Sequence, residues 1–260
     1  MFNPTVLSES LFNAHAPGKR LSGIPASIAP TTIYEAYLVQ AHLVSQLRQK
    51  FGDPVGYKVG CTNQTAREML GVETPFYGRC FTKEIFNSPA IIDCSELHMV
   101  GIEPEIAVRI GKDMQKDTPW TAKQVIDLIE EVMPAIEIVE SRFSTWPKMG
   151  ILAAISDNGV HRKLILGQSI ADWDEKTISG ARVKLRLKEK IVRLGHIKNV
   201  DGGVFGVTAW LASQLNQKGL TLKRGDIVST GVMANIYDAV SGENLIADYM
   251  DLGKINLKLS

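Results

Sequence analysis

The sequence predicts an α+β fold, and three observations support this prediction. Candidate strands cluster in the last two thirds of the chain and do not alternate regularly with helices. Several of these segments alternate apolar and polar residues, most cleanly in 182–187 and 254–259. The chain also has neither of the glycine-rich phosphate-binding patterns, GxGxxG and GxxxxGK[ST]. A doubly wound parallel sheet is therefore not expected.

Three amphipathic segments predict helices, over residues 32–52, 121–134 and 207–218. The first begins with a capping box, in which the Thr32 hydroxyl and the Glu35 carboxylate bind free amides of the first turn. Thr121 and Gln124 repeat this pattern at the start of the second helix. A glycine or a proline ends each segment.

The remaining apolar segments predict strands. These are Gly56–Val59, Ile102–Ile110, Ala135–Val139, Ala181–Leu187, Lys190–Leu194, Ile227–Ser229 and Ile255–Leu259. Residues 1–30 contain four prolines and little periodicity, so we expect an extended arm there. We divide the chain into an N-terminal arm and helix, 1–53, and a mixed-β body, 54–260, which together can form one continuous domain.

Composition excludes several classes of protein. The 260 residues include 29 Lys and Arg against 28 Asp and Glu, so the net charge is +1. No broad basic surface for nucleic acid or for an anionic membrane follows from such a balance. The three cysteines have neither disulfide nor zinc spacing, and no signal peptide or membrane span is evident. We therefore expect a cytoplasmic protein with no nucleic-acid or membrane partner.

Three glutamates stand in strands where carboxylates need an explanation. Glu103 and Glu105 flank Pro104 and share one face of their strand, which is either a binding face or the solvent face of an edge strand. Glu137 has apolar neighbours on both faces, so burial is expected. A buried carboxylate requires a metal ion, several hydrogen bonds or an ion pair, for which Arg142 is the nearest candidate.

Lys58 is framed by two glycines, Gly56 and Gly60, on the same face of its strand. Glycines in a strand often mark the close approach of a ligand, so Lys58 either reaches into a cleft or is solvated at a sheet edge. Carboxylate oxygens select Mg²⁺, Mn²⁺ or Ca²⁺ over zinc. None of the five histidines has a metal-ligand spacing, and each is expected to be structural or exposed.

An ordered set of short motifs resembles the fumarylacetoacetate hydrolase superfamily, in the branch of 2-oxopent-4-enoate hydratases and 2-oxohex-3-enedioate (4-oxalocrotonate) decarboxylases. The motifs are Ala36-Tyr37 with Gln40, Gly56–Thr62, Gly71–Pro75 with Tyr77-Gly78, Glu103–Ala107, Pro134–Arg142, Ser156–Asn158, Ala209–Ala212 and Leu222–Val228. No single motif is decisive, but the set follows the family's order over residues 30–259.

The resemblance implies a mixed β-roll or sandwich with a smaller helical N-terminal part. It implies that Glu103, Glu105 and Glu137 hold Mg²⁺ or Mn²⁺ and that Lys58 is the catalytic or substrate-orienting lysine. The resemblance also implies that residues 54–260 form the metal-binding catalytic domain. The family also implies a homo-oligomer, and a complex with a related pathway enzyme is a further expectation.

The implied activity is that of a divalent-metal-dependent lyase acting on an unsaturated 2-oxo acid in aromatic catabolism. Hydratase and decarboxylase both stay open, because this chain departs from the family pattern at residues expected to contact substrate. Phe76 replaces an aspartate found in hydratases, no serine follows Asp157 in its motif, and Gly231-Val232 replaces Gly-Ser/Thr.

Two other functions stay open at this stage. An acylpyruvate-type C–C hydrolase uses the same fold, although no histidine is evident to activate water. The alternative from a different functional class is a weakly active or non-catalytic partner subunit that binds 2-oxo acids. The intact glutamates and Lys58 argue against a purely structural role.

Overall fold

The secondary structure comes from a computed structural model that describes residues 2–116 and 118–260. The helices are α1 Thr5–Asn13, α2 Ile33–Phe51, α3 Gln64–Leu70, α4 Ala122–Ile126, α5 Gly150–Ser156, α6 Glu175–Ser179 and α7 Gly203–Asn216. The strands are β1 Pro54–Gly60, β2 Phe76–Phe81, β3 Ile85–Asn87, β4 Ala90–Ile92, β5 Val100–Ile110, β6 Ile129–Val139, β7 His161–Leu166, β8 Arg182–Leu187, β9 Lys190–His196, β10 Ile227–Ser229, β11 Tyr237–Ala239, β12 Asn244–Asp248 and β13 Lys254–Leu259.

The strands form two mixed sheets. The first has the order β2-β1-β10-β5-β6-β7-β3, and β11 pairs with the N-terminal part of β5. The second has the order β4-β13-β12-β8-β9. One apolar cluster draws on both sheets and on α7, with members such as Ile136, Leu185 and Leu211. The predicted α+β class and all seven predicted strand segments are confirmed.

The centre of the first sheet is the long antiparallel pair β5 and β6. The edge of β5 that does not face β6 pairs with β10 at residues 107–109 and with β11 at residues 100–102. These two pairings leave a gap between β10 and β11. Across this gap the Thr230 and Met233 amides donate to the carbonyls of Ile106 and Pro104. A proline has no amide hydrogen, so Pro104 fits a position in β5 that faces a gap.

Two predicted helices are confirmed. The Glu35 amide donates to the Thr32 hydroxyl at 3.1 Å at the start of α2, and Gly52, with φ +82°, follows its end. The polar residue within its apolar face, Gln40, is buried and donates to the carbonyls of Tyr77 and Ile155, at 2.8 and 2.9 Å. The third predicted helix is α7, which begins four residues earlier than expected.

The predicted helix over 121–134 is wrong beyond its first turn. The Thr121–Gln124 capping box forms, but α4 ends at Ile126 and β6 begins at Ile129. Ile129 and Val132 fit a helical period, but they lie in β6 and pair with Ile110 and Val108 of β5. The tertiary pairing of a central strand therefore overrides local helical periodicity.

The predicted extended arm over residues 1–30 is also wrong in part, because it contains α1. Leu7, Leu11 and Ala14 are spaced for one helical face and are buried. Leu7 and Leu11 share a cluster with residues of α2 and with Phe81 and Phe143 of the mixed-β body. Within the described residues, no helix is long and apolar enough to cross a membrane.

Candidate metal centre

Three carboxylates meet on one face of the central strand pair. Glu103 of β5 is directly paired with Glu137 of β6, and Glu105 lies two residues further along the same face. One oxygen atom from each of the three carboxylates lies within 4.8 Å of the others. Glu105 and Glu137 are fully buried, and β5 is a central strand. The alternative of a solvent face on an edge strand is therefore wrong.

The electrostatics of this cluster fit a divalent cation. Burial, together with the neighbouring Glu137, raises the pKa of Glu103 to about 7. Burial and both other glutamates hold the pKa of Glu105 well above its usual range. Glu105 Oε1 and Glu137 Oε2 are buried without any hydrogen-bond partner in the described chain. A cation bound by these oxygens would remove both the mutual repulsion and the unsatisfied acceptors.

The second oxygen of Glu105 is held by its surroundings. Ser229 Oγ donates to Glu105 Oε2 at 2.5 Å and the Gly231 amide donates to it at 2.9 Å. Gly231 has φ +101°, and a Cβ atom there would lie 1.9 Å from Thr62 Oγ1. Glycine is thus required at 231, which positions its amide on a carboxylate of the cluster.

Lys58 projects into the same cluster from β1. Its Nζ lies 3.2 Å from Glu137 Oε1 and donates to the Gly159 carbonyl at 3.0 Å. Burial alone would lower the pKa of Lys58, but the three glutamates raise it above its ordinary value. Lys58 is only 2% exposed and β1 lies between two strands, so the solvated-edge alternative is wrong.

The glycines beside Lys58 allow close packing on that face. A Cβ at Gly56 would lie 2.2 Å from the Ile227 carbonyl oxygen, and one at Gly60 would lie 2.7 Å from Phe76 Cζ. Gly60 therefore makes room for the Phe76 ring, whose centroid is 5.5 Å from Lys58 Nζ.

His161 is a residue of this centre that sequence reasoning missed. Its Nδ1 lies 2.9 Å from Glu137 Oε1, and the ring is buried. Burial lowers the pKa of His161, although Glu137 opposes that change, so we treat the ring as neutral and as the hydrogen-bond donor. Burial would raise the pKa of Glu137, but Lys58 and His161 lower it by more. Only the pairing of β6 with β7 reveals this contact.

The proposed ion pair between Glu137 and Arg142 does not form. Arg142 instead binds Asp157, with 2.5 Å between Nε and Oδ1, and approaches Glu140 at 3.4 Å. Asp157, predicted to contact substrate, is fully buried and uses its carboxylate on Arg142. The structure therefore does not bring Asp157 together with the other candidate residues. Gly159, two residues further along the chain, does contact the centre, because its carbonyl accepts from Lys58.

A small cavity opens onto Lys58 and Glu103. Its walls are mostly apolar and include Val59, Cys61, Met69, Leu70, Phe76, Val139, Trp146, Val160 and Val232. Phe76 and Val232, two of the residues expected to contact substrate, thus line the same cavity as Lys58. Burial raises the pKa of Cys61 to about 12, so its thiol is neutral. Among the described residues that line the cavity, Lys58 is the single basic side chain.

Two mixed sheets, a buried carboxylate cluster and a small cavity beside it define an α+β protein with a candidate metal centre. Residues 63–256 match the family described as "Fumarylacetoacetate (FAA) hydrolase C-terminal". The chain belongs to the fumarylacetoacetate hydrolase family, which confirms the resemblance inferred from the motifs.

Two relatives are similar over almost the whole chain. A 4-oxalocrotonate decarboxylase from Pseudomonas putida is 26% identical over 254 residues, which cover 97% of this chain and 95% of the relative. A 2-keto-4-pentenoate hydratase from Paraburkholderia xenovorans is also 26% identical, over 91% of this chain and 87% of its own.

Solved structures agree with this assignment. A 4-oxalocrotonate decarboxylase from Pseudomonas putida G7, complexed with magnesium and adipate, superposes with a TM-score of 0.92 and 25% identity over 99% of this chain and 97% of that one. A fumarylpyruvate hydrolase from Pseudomonas aeruginosa, in complex with Mn²⁺ and pyruvate, has a TM-score of 0.61 at 15% identity over 78% of this chain and 88% of its own. The second likeness concerns the fold alone.

Proposed function

We propose that this protein is a divalent-metal-dependent lyase that acts on an unsaturated 2-oxo acid from aromatic catabolism. The observation that carries the proposal is the cluster of Glu103, Glu105 and Glu137, which has two unsatisfied buried oxygens and lies beside Lys58 at a cavity. Relatives named as hydratases and a decarboxylase complexed with magnesium support this activity and Mg²⁺ or Mn²⁺ as the cofactor.

The chain's own residues would hold and orient the reactants. A bound Mg²⁺ or Mn²⁺ would supply Lewis acidity at a 2-oxo acid head group. The three glutamates raise the pKa of Lys58, and its Nζ can hydrogen-bond a substrate oxygen or transfer a proton. His161 is a positioning residue, because it binds Glu137 and is not among the residues that line the cavity.

The walls of the cavity bear on the substrate tail. Beyond Lys58, no described lining residue offers a positive charge for a second carboxylate. A buried carboxylate without a partner is costly, so this observation favours a 2-oxo acid with an uncharged tail, as in the hydratase reaction. Decarboxylation is the second candidate, because Phe76 offers no proton-transferring group for water addition.

A turnover assay with purified protein tests the proposal. The substrates are 2-hydroxypenta-2,4-dienoate and 2-oxohex-3-enedioate, each with Mg²⁺ and with EDTA, and CO₂ is followed for the second. We expect Mg²⁺-dependent loss of the dienoate. CO₂ release alone would assign the decarboxylase reaction instead. No turnover of either substrate, with Mg²⁺ still bound, would contradict the proposed activity and favour the non-catalytic alternative.

The hydrolase alternative is less favoured. His161 is the histidine at the centre. Its ring is buried, bonds to Glu137 and is not among the residues that line the cavity. The described residues therefore do not place this ring where it could activate a hydrolytic water in the cavity.

We further propose that the protein is a cytoplasmic homo-oligomer, and that a complex with a related pathway enzyme is its expected hetero-association. Free cysteines support the reducing compartment. On the edge strand β9, Ile191 and Leu194 are exposed, the latter by 67%, which supports a contact between subunits. Light scattering after size exclusion tests the assembly, and a monomer at all concentrations would contradict it.

A further inference from the structure

A second cavity lies on the opposite face of the antiparallel pair β1 and β2 from the metal centre. Tyr57 of β1 pairs with Arg79 of β2, whereas Lys58 pairs with Gly78. Neighbouring residues of a strand point to opposite faces, so Tyr57 and Arg79 face away from the carboxylate cluster. The cavity has a volume of about 230 Å³. We call it the tyrosine pocket and define it by Tyr37, Tyr57, Tyr77, Arg79 and Lys218.

The three tyrosine rings form its walls. Tyr37 and Tyr77 are stacked with centroids 4.6 Å apart, and Tyr57 meets Tyr77 edge to face at 5.8 Å. Gln40 of α2 donates to the Tyr77 carbonyl, and the Tyr77 amide donates to the Tyr37 hydroxyl at 3.2 Å. Tyr37, Gln40 and Tyr77 belong to motifs that carry the family resemblance, yet they do not contribute to the metal centre.

Two cations enter this pocket without forming a salt bridge, and the nearest counter-charge is Asp226, whose pKa is raised by burial and lowered in part by Arg79. Lys218 Nζ lies 3.1 Å from the Tyr37 ring centroid and donates to the Tyr77 hydroxyl at 2.8 Å. Arg79 stacks on Tyr57 and donates to its hydroxyl at 2.5 Å. In the described part of the chain, neither cation has a carboxylate within 4.0 Å, and no acidic side chain lines the pocket.

The donors of the pocket are fixed and not all used. Arg79 Nε is buried with no acceptor among the described residues. The Arg79 backbone is held by Asn158, whose side chain accepts from the Arg79 amide at 2.8 Å and donates to its carbonyl at 2.9 Å. Pre-organised donors of this kind favour an anion, since little freedom is lost when it binds.

The remaining walls add an apolar contribution. Ala41, Val44 and Leu220 line the same cavity beside the two cations. An inorganic anion would leave these side chains without a contact, whereas a small organic acid offers both a carboxylate and a carbon chain. A volume of about 230 Å³ is large enough for an acid of a few carbon atoms.

We propose that the tyrosine pocket is a binding site for a small organic carboxylate, with Arg79 and Lys218 as the groups that bind the carboxylate. This site is separate from the metal centre and does not depend on the proposed activity. Burial of the ammonium lowers the pKa of Lys218 to about 8, although the residue as a whole is exposed. A bound carboxylate would raise that pKa again, so binding above pH 8 should take up a proton.

Calorimetry with butanoate as the probe tests this site. The full chain is titrated in EDTA, so that no carboxylate can bind through a metal ion, at pH 8.5 in two buffers of different ionisation enthalpy. We expect saturable binding with proton uptake. Lys218→Met should weaken the affinity by about tenfold or more, as for the loss of one charge-assisted hydrogen bond.

Controls keep the test specific. Lys190→Met removes one exposed positive charge elsewhere and should leave the affinity for butanoate unchanged. No saturable binding, or equal binding in wild type and Lys218→Met, would overturn the proposal. Inorganic phosphate that binds as tightly as butanoate would overturn the assignment to an organic acid. Because the metal is absent throughout, failure here is distinct from failure of the turnover assay.

Discussion

Glu137 accepts from Lys58 and His161 through one oxygen, while its second oxygen has no partner. Glu137→Gln keeps the size of the side chain but removes its charge. We expect the affinity for Mn²⁺, measured by calorimetry, to fall by about hundredfold, because one of three anionic ligands is lost. Thermal stabilisation by Mg²⁺ should disappear as well.

Glu131→Gln is the matched control for Glu137→Gln. It lies on the same strand, β6, and pairs with Arg109 at 2.7 Å outside the cluster. Metal affinity should be unaffected by this change. Equal Mn²⁺ affinities of the two variants would refute Glu137 as a metal ligand.

Phe76 lies between the cavity at Lys58 and a larger one. It lines both the cavity at Lys58 and a third cavity, distinct from the tyrosine pocket, of about 420 Å³ with largely apolar walls that include Val72 and Ile151. Phe76→Ala should join the two, so that longer apolar tails gain contacts. Each added methylene should then tighten binding by about fourfold, from ~0.8 kcal/mol per buried CH₂.

The measurement is a series of inhibition constants for pyruvate, 2-oxobutanoate and 2-oxohexanoate with Mg²⁺ present. Phe76→Leu keeps most of the barrier and serves as the control variant. Wild type and Phe76→Leu should show little gain with chain length. The same chain-length profile in Phe76→Ala would exclude Phe76 as the barrier.

Individual residues of the centre were predictable to different degrees. A glutamate amid apolar neighbours and a lysine between two glycines are anomalies that single-strand patterns reveal, as for Glu137 and Lys58. His161 gives no such signal, since its role depends on the register between β6 and β7. Asp157 was expected to contact substrate, but it pairs with Arg142. No local pattern could identify that ion pair.

At the scale of elements, β1 is seated against β10 by a glycine. Gly56→Ala would place a Cβ 2.2 Å from the Ile227 carbonyl oxygen, which is backbone and cannot rotate away. We expect a loss of about 2–4 kcal/mol in the free energy of unfolding, and weaker Mg²⁺ binding because Lys58 and β10 would shift.

Chemical denaturation checks this prediction. Gly23→Ala is the control, because a Cβ at Gly23 meets nothing within 4 Å. It should change the free energy of unfolding by no more than about 0.5 kcal/mol. Comparable effects of the two substitutions would mean that close packing of β1 on β10 is not needed.

Local signals identified elements when the side-chain period was unambiguous. The Thr121 capping box forms, yet residues 129–134 belong to a strand, because helical and strand readings of that apolar segment compete. Short strands such as β3 and β4 have too few residues for a period to be recognised. Strand order and the parallel pair of β1 with β10 depend on contacts far apart in sequence.

At the scale of the whole molecule, the N-terminal segment packs on the mixed-β body. Leu7 and Leu11 share one apolar cluster with Phe81 and Phe143. We therefore propose that the boundary expected at residue 53 separates two parts of one cooperative unit. A single unfolding transition, seen alike by fluorescence and circular dichroism, is the expected result, and two separate transitions would contradict it.

His15 makes this packing sensitive to acid. It is 6% exposed, rests edge to face on Phe51 at 5.6 Å, and neither ring nitrogen has a partner among the described residues. Burial, reinforced by Arg142 and Arg162, holds the pKa of His15 well below 6.5. In the unfolded chain the ring takes up a proton near pH 6.5, so acid favours unfolding.

The stability that a neutral His15 contributes is present above pH 6.5 and is lost as the pH falls below it. At pH 5.5 the loss from this residue should be about 1.4 kcal/mol.

His15→Phe keeps the aromatic contact with Phe51 and has no group to titrate. Its advantage over wild type in free energy of unfolding should therefore be larger at pH 5.5 than at pH 8. His196→Phe, at a partly exposed ring, is the control, because burial lowers the pKa of His196 far less than that of His15. A His15→Phe advantage that does not change with pH would mean that the gain comes from packing alone.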